Sequence, residues 1–396
     1  MRIGVTQLLR KLGMLMLYVF FYAYGIGGAA GIGQYYLVFL YIAIVIAIFI
    51  FFRDQKCLSR YRQYYRWMGL FLLLQACSLV YTINFAKGIS WLLASVKIVI
   101  KITAVAIICK DIEGVKKLFR GVAYLGGIVF LTLLSTGRLY EGWRLGTDLM
   151  GNANSFAMVI SFYSLGAMIC FFDEKRLINR VIYAFLFILD VYMIFLSGGR
   201  KYILFQIAFI YSSFIFRGEK VRIRNIILGT VVIAVIVYIG YRAIMSVPVL
   251  YNSIGIRLIG FGTSEGALGM DSQATLMKRG IDMFLQRPLF GWGIAGFQQY
   301  HGEYFGKAFY SHSNYVELLA DYGIIGIVLY YSQYLKCMNK LLTKGLINDH
   351  ERMIYLPLLI SVIVLDVFAV TFNQTAFVPL YIMLISGSQK KGCQGQ

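Results

Sequence analysis

The densest group of reactive side chains lies in YSHSNYVELLADYG, where His312, Asn314, Glu317 and Asp321 fall within ten residues. Glu317 and Asp321 are four apart and share one face of any helix that starts here, whereas His312 and Glu317, five apart, do not share a face cleanly. Ser313 or Asn314 can cap that helix, with Glu317 supporting the cap. A histidine beside a helix N-terminus at a water interface could accept a proton or hold a phosphate oxygen. The plain alternative is an ordinary surface histidine. A second group is the Ser-Gly-Gly-Arg-Lys turn ending in Arg200 and Lys201, set between two apolar runs. Its glycines would let backbone N–H groups approach an anion, and arginine grips phosphate with a permanently charged planar fork. A simple hairpin whose arginine snorkels to the interface is the competing reading.

These groups need elements to hold them, and the composition says which. Of 396 residues, 59% are hydrophobic and 14% charged, with 16% aromatics and four prolines. A soluble domain carries about 45–50% apolar and about 25% charged residues. Twelve apolar runs approach the ~20 residues that cross a bilayer core: roughly 12–30, 35–52, 67–83, 89–108, 119–136, 154–172, 181–196, 202–216, 225–242, 314–334, 354–372 and 376–387. The runs at 202–216 and 376–387 are the weakest, so ten to twelve helices fit. The expectation is an all-α integral membrane protein, one polytopic domain over 1–396, with about 12 transmembrane helices.

The net charge of +20 would suggest nucleic acid in a soluble protein. Here it reads first as topology, because cytoplasmic loops collect Lys and Arg. With the N-terminus inside, 25 of the 38 basic residues fall on the cytoplasmic side, 11 outside, and Lys97 and Lys101 within a helix. Both termini are then cytoplasmic, no nucleic-acid partner is needed, and the outside cations become the informative ones, ten of the eleven being Arg138, Arg144, Arg200, Lys201, and in the long loop Arg242, Arg257, Lys278, Arg279, Arg287 and Lys307. Arginines gathered on an outer surface suit a phosphate-bearing substrate at the membrane interface; solvation or pairing with lipid headgroups is the alternative for each long-loop cation. The charges within spans, Lys97, Lys101, Asp190 and Asp366, suggest either mutual neutralisation across the bundle or an ion path.

Residues 243–313 form one long extracytoplasmic loop, and loops of that length are commonly functional. In it DSQATLMKRGIDMFLQRP spaces Leu276, Ile281, Phe284 and Leu285 for one helical face, predicting a short amphipathic helix along the membrane surface that stops at Pro288 before the turn GWGIAGF. None of the six cysteines falls in an outside loop, and the sequence has no CxxC, HExxH or GxxxxGK[ST] motif. A disulfide framework, a zinc protease and an ATP-driven pump are therefore not expected, nor is a metal site or cofactor.

The runs QRPLFGWGIAGFQQY and SHSNYVELLADYGIIGIVLYY together resemble the signature of the O-antigen ligase-like superfamily, which includes Wzy-type polysaccharide polymerases. That signature is a Pro-x-x-Gly-x-Gly turn followed by a His-Asn-x-Tyr-x-Glu-like motif and Gly-x-x-Gly. Ser313 replaces the first Asn, while Asn314, Tyr315 and Glu317 stand where expected. WRLGTDLMGNANSFAM resembles the family's arginine and Asn-Pro-Asn segment, with Ala153 for proline, and FLSGGRKYIL its Ser-x-Ser-Arg turn, with Gly199 for the second serine. An arginine that often opens the loop helix is Gln273 here, with Lys278 and Arg279 one to two turns on. The resemblance covers about 140–335.

It implies metal-independent glycosyl transfer from an undecaprenyl-pyrophosphate-linked oligosaccharide to a sugar hydroxyl, at the outer face of a bacterial plasma (inner) membrane. His312, Glu317 and Arg200 become catalytic candidates; Arg144, Asn154, Lys201, Arg279, Asn314 and Tyr315 become substrate-binding candidates. Membrane lipid, a flippase and a chain-length regulator are implied partners. A polymerase of capsule, exopolysaccharide or O-antigen repeats is the first reading and a ligase of finished glycan the second. A transporter or flippase is the third, although no repeat relates the two halves as in many transporters.

Overall fold

A computed structural model describes residues 2–29, 31–140, 144–216, 222–255, 273–343, 346–347, 349–373 and 376–388. Arg217, Lys220, Arg257, Lys344, Lys390 and Lys391, counted above in the charge pattern, lie outside the described residues, as does the loop stretch 256–272. All twelve apolar runs coincide with helices, and among the described residues there is no strand. In lipid a backbone must satisfy its own N–H and C=O groups, which leaves an apolar run of this length little choice but helix.

The helices used below are α1 Arg2–Ile26, α2 Tyr36–Arg53, α3 Arg62–Ser78, α4 Phe85–Cys109, α5 Ile112–Ser135, α6 Ala153–Asp173, α7 Leu177–Ser197, α8 Arg200–Ile215 and α9 Ile223–Ser246. They continue with α10 Gln273–Gln286, α11 Gly296–Phe305, α12 Asn314–Leu342, α13 Asp349–Phe368 and α14 Phe377–Ser386. Among the described residues seven are long and apolar enough to cross a membrane, namely α1, α2, α4, α5, α6, α7 and α9. The expected twelve crossings are therefore carried by length and composition for seven. The other five depart for local reasons. α3 begins with the polar RQYYR, α8 has 16 residues, α12 breaks at Gly323, α13 opens with DHER, and α14 has 10 residues. At 1.5 Å per residue α14 covers only about half a bilayer core.

The chain divides into two compact units: residues 1–58, 103–214 and 222–259 in the first, and 59–102, 215–221 and 260–396 in the second. In the first, α6 is buried on nearly every face, with Phe156, Phe162 and Tyr163 at its heart. Tyr163 donates its hydroxyl proton to the carbonyl of Phe21 on α1, so even the polar tip of this buried ring is satisfied. α9 is the reverse case, with only Gly229 and Ile244 buried, as expected of a helix facing lipid. Arg10 of α1 pairs with Asp54 at 2.8 Å and donates to the Ile107 carbonyl of α4, while Lys116 of α5 pairs with Asp173 of α6 at 3.4 Å. The basic segments of this unit thus gather at one end. The far end of α1 meets the loop before α6, where a Cβ on Gly27 would lie 2.3 Å from the Leu149 carbonyl oxygen.

In the second unit, α10 docks on α12 through Leu276, Gly280 and Met283, joined by Phe297 and Ala320. This corrects the expected face. Ile281 and Leu285 stay exposed, Phe284 is half-buried, and only Leu276 of the predicted stripe is buried. The cause is Gly280, whose missing Cβ leaves room for Val316. Small residues set the approach of the two helices, and the bulkier apolar stripe is left outward with Leu289 and Phe290.

Candidate active site

The candidate residues fall in both units: Arg144, Asn154, Arg200 and Lys201 in the first, and in the second the His312 turn with Glu317, Asn314 and Tyr315, and separately Arg279. In the first unit, α7 ends at Ser197 and the chain reverses through Gly198, at φ +66°, in the left-handed conformation that favours glycine. Gly199 follows because a Cβ there would fall 2.5 Å from that of Ala157. Arg200 and Lys201 then open α8, both half-buried, with the Lys201 ammonium 5.4 Å from the Tyr202 ring centre. Arg144 holds the turn from outside. Its Nε donates to the Ser197 carbonyl at 2.7 Å and its Nη2 to Asn154 Oδ1 at 3.3 Å, while Leu145 N–H donates to the Leu196 carbonyl at 3.1 Å. A guanidinium on the last carbonyl of a helix answers both an orphan acceptor and the negative end of the helix dipole. Arg144, Asn154 and the Arg200 turn are thus one assembly, from sequence segments some fifty residues apart.

In the second unit the cluster is built on backbone strain. His312 has φ +65°, a conformation non-glycine residues seldom adopt and which costs about 1–3 kcal/mol. Its neighbours impose it. Ser311 N–H donates to Glu317 Oε2 at 2.6 Å, and the Ser311 hydroxyl donates to the Ser313 carbonyl at 2.9 Å. Glu317 is fully buried, so its bond to Ser311 fixes the turn against α12, and the half-buried imidazole stands with its centre 4.3 Å from that of Tyr310. Burial, then the Glu317 carboxylate, push the Tyr310 phenol above its usual range, so it stays a neutral hydroxyl. The cap differs from expectation. Ser313 occupies the N-cap position, but its hydroxyl donates to the Asp366 carbonyl, and Glu317 reaches back beyond the cap to Ser311.

Asn314 and Tyr315 have protein partners. Asn314 Oδ1 accepts from the N–H groups of Thr371 and Phe372 at 2.8 and 3.1 Å, and its Nδ2 donates to the Tyr331 hydroxyl at 3.0 Å. Tyr315 stacks on Tyr331 with ring centres 4.7 Å apart and donates to the Ile363 carbonyl. Both build the wall behind the His312 turn. Asp366 is not an isolated charge, since its carboxylate accepts from Thr371 at 2.6 Å and from Tyr331 at 3.0 Å. Arg279, on α10, lies over the Phe305 ring at 3.7 Å with Nη1 2.6 Å from His301 Nε2. Since His301 Nδ1 lies 2.5 Å from the Lys307 carbonyl, it must carry the proton there, leaving Nε2 as a neutral acceptor for the guanidinium. Among the described residues no three His, Cys, Asp or Glu stand together as metal ligands.

Sequence reasoning did not foresee how the two signature runs interlock. α12 breaks at Gly323, which releases backbone groups on either side, and the Pro288–Gly293 turn takes them up. Trp292 and Gly293 donate to the carbonyls of Ala320 and Asp321 at 2.9 and 2.8 Å, and Ile324 and Ile325 donate to those of Pro288 and Leu289 at 2.8 and 3.3 Å. Asp321 closes the arrangement by accepting from Phe297 N–H at 2.8 Å. The four-residue spacing of Glu317 and Asp321 was the available signal. One carboxylate fixes the His312 turn and the other the glycine turn.

Residues 185–331 match the Wzy_C family model, described as O-antigen ligase. This segment is O-antigen ligase-like. It bears out the resemblance read from the motifs, and it contains Arg200, Lys201, Arg279, His312, Asn314, Tyr315 and Glu317 together with the whole interlock. The family points to O-antigen ligase-type or polymerase-type glycan processing by a multi-pass membrane protein. Arg144 and Asn154 precede the O-antigen ligase-like segment; Arg144 joins it through the Ser197 carbonyl, and Asn154 accepts from Arg144. No curated protein matches the chain.

Proposed function

We propose that the protein polymerises lipid-linked polysaccharide repeat units, for capsule, exopolysaccharide or O-antigen, at the outer face of the bacterial inner membrane. The observation that carries this reading is the strained His312 turn, pinned by buried Glu317 inside the O-antigen ligase-like segment. Such strain persists where the surroundings over-determine it, which is commonly at reactive sites.

In this reading the acceptor sugar hydroxyl gives its proton to the His312 imidazole and its oxygen attacks the anomeric carbon of the donor. The bond between the anomeric carbon and the phosphate oxygen breaks, its electron pair stays on that oxygen, and undecaprenyl pyrophosphate leaves. Arg200, steadied by the Arg144 and Asn154 assembly and assisted by Lys201, stabilises the charge growing on the pyrophosphate. Arg279 contributes a second cation, and Glu317, Asn314 and Tyr315 position the histidine and its wall. A flippase supplying the donor and a chain-length regulator are the proposed partners.

The description of the matching family favours one rival, a ligase that moves finished glycan to another acceptor. Purified protein incubated with a lipid-linked repeat unit distinguishes them. A ladder of products is expected; a single transfer step, and only to a non-repeat acceptor, would assign the ligase instead.

Two further outcomes are expected. Because arginine side chains supply the positive charge, chain extension should survive EDTA, and loss on chelation with rescue by Mg²⁺ or Mn²⁺ would refute a metal-independent reaction. In a cysteine-free background, Glu303→Cys should label with an impermeant thiol reagent from outside and Lys175→Cys only after permeabilisation. Both positions are exposed, so labelling of both from one side would overturn the twelve-span, both-termini-inside topology.

A further inference from the structure

A cleft of about 1210 Å³ opens in the first unit among the charged ends of α1, α2, α4 and α5, at the end opposite to the Arg200 turn. Its rim carries Lys11, Arg53, Lys110 and Lys117, all exposed, together with Arg10. The three carboxylates on the same rim are already engaged. Asp54 pairs with Arg10 at 2.8 Å, Asp111 caps α5 by accepting from Gly114 N–H at 3.0 Å, and Glu113 lies 3.5 Å from the Lys116 ammonium. The cleft therefore presents an excess of positive charge. Its wall is apolar and uncovered: Leu15, Phe49 and Phe52 are 50%, 54% and 70% exposed, on helices long and apolar enough to cross a membrane.

We infer that this cleft binds an anionic phospholipid, with the headgroup phosphate on the basic rim and an acyl chain along Leu15, Phe49 and Phe52. A soluble anion would use the rim alone, and a zwitterionic lipid would gain little from the excess cations; only an anionic lipid uses both surfaces. Within the first unit the cleft is separate from the Arg200 turn, and it does not depend on the reaction proposed there. Lys110 contributes through the short link between α4 and α5, where it holds a left-handed conformation at φ +64° and the N-cap of α5 follows at once.

Native mass spectrometry of the full chain, titrated with phosphatidylglycerol or with phosphatidylcholine of the same chains, tests this. The wild type should prefer phosphatidylglycerol. A basic side chain near a membrane surface contributes about five-fold in affinity, so the triple variant Lys11→Gln, Arg53→Gln, Lys117→Gln should lose roughly a hundred-fold for phosphatidylglycerol and little for phosphatidylcholine. Phe52→Asn, which leaves the rim intact, should also weaken phosphatidylglycerol and keeps the question answerable if the triple variant does not fold. Equal binding of the two lipids by the wild type, or wild-type affinity in both variants, would overturn the site. So would complete displacement of phosphatidylglycerol by inorganic phosphate, which would identify a free-anion site instead.

Discussion

Arg200→Ala and His312→Ala are each expected to cut glycan chain extension by two to three orders of magnitude without removing the protein from the membrane. For Arg200 the reasoning starts from charge. The leaving pyrophosphate gains negative charge as its bond to the sugar breaks, and one pre-organised donor aimed at such charge is worth about 10²–10³ in rate, roughly 3–4 kcal/mol. Arg200 stands on a turn with little freedom, fixed by Gly198 and Gly199 within it and by Arg144 on the Ser197 carbonyl. Arg200→Lys keeps the charge and loses the fork, so it should recover only part of the rate. For His312, general-base assistance is worth about 10²–10⁴. The variant should also fold well, because alanine in place of a strained, half-buried histidine removes no packed core. Measured in vitro beside membrane abundance, wild-type extension by both alanine variants at normal abundance would dismiss the site and favour a transporter.

The helices were legible because apolar runs near twenty residues have one way to live in lipid, and α1, α2 and α4 follow that rule closely. α14 was legible as a helix but not as a crossing, since its 10 residues follow a segment in which the N–H groups of Thr371 and Phe372 are bound by the Asn314 side chain, 57 and 58 residues earlier. The site was half legible. Residue types and order singled out Arg200, His312 and Glu317 as candidates, and these positions fall within the matched stretch 185–331; the chain-extension measurements above decide their roles. Their geometry was not legible, because it depends on pairings no spacing rule contains: Arg144 with Ser197, Ser311 with Glu317, and Arg279 with His301. The face of α10 was misread for a similar reason. Hydrophobic periodicity ranks Ile281 and Leu285 above Gly280, but close helix contact selects the glycine, and in a membrane an apolar stripe need not point inward.

The interlock at Gly323 gives the largest expected effect on folding. Gly323 has φ +63° and ψ −159°, a region essentially closed to residues with a Cβ. A Cβ built there would lie 2.4 Å from the Leu289 carbonyl oxygen and 2.6 Å from that of Pro288. These are backbone atoms, and Pro288 and Leu289 are also the acceptors for Ile324 and Ile325, so relieving the clash pulls apart the bonds that tie the loop to α12. Backbone strain of about 1–3 kcal/mol, with two lost hydrogen bonds at about 1 kcal/mol each, puts Gly323→Ala at roughly 3–5 kcal/mol. That is a large share of the 5–15 kcal/mol that typically holds a protein folded. The variant should be scarce in membranes and melt well below wild type in detergent. Gly291→Ala should behave alike, since its Cβ would meet the Asp321 backbone at 2.5 Å from the other side of the interlock. Gly69→Ala is the control. Gly69 lies within helix α3 with nothing within 4 Å of a Cβ, so alanine there should be neutral or stabilise by about 0.5–1 kcal/mol. If Gly323→Ala melted with Gly69→Ala at wild-type temperature, α12 would have to run unbroken through Gly323, and the glycine turn would have lost its acceptors at Ala320 and Asp321.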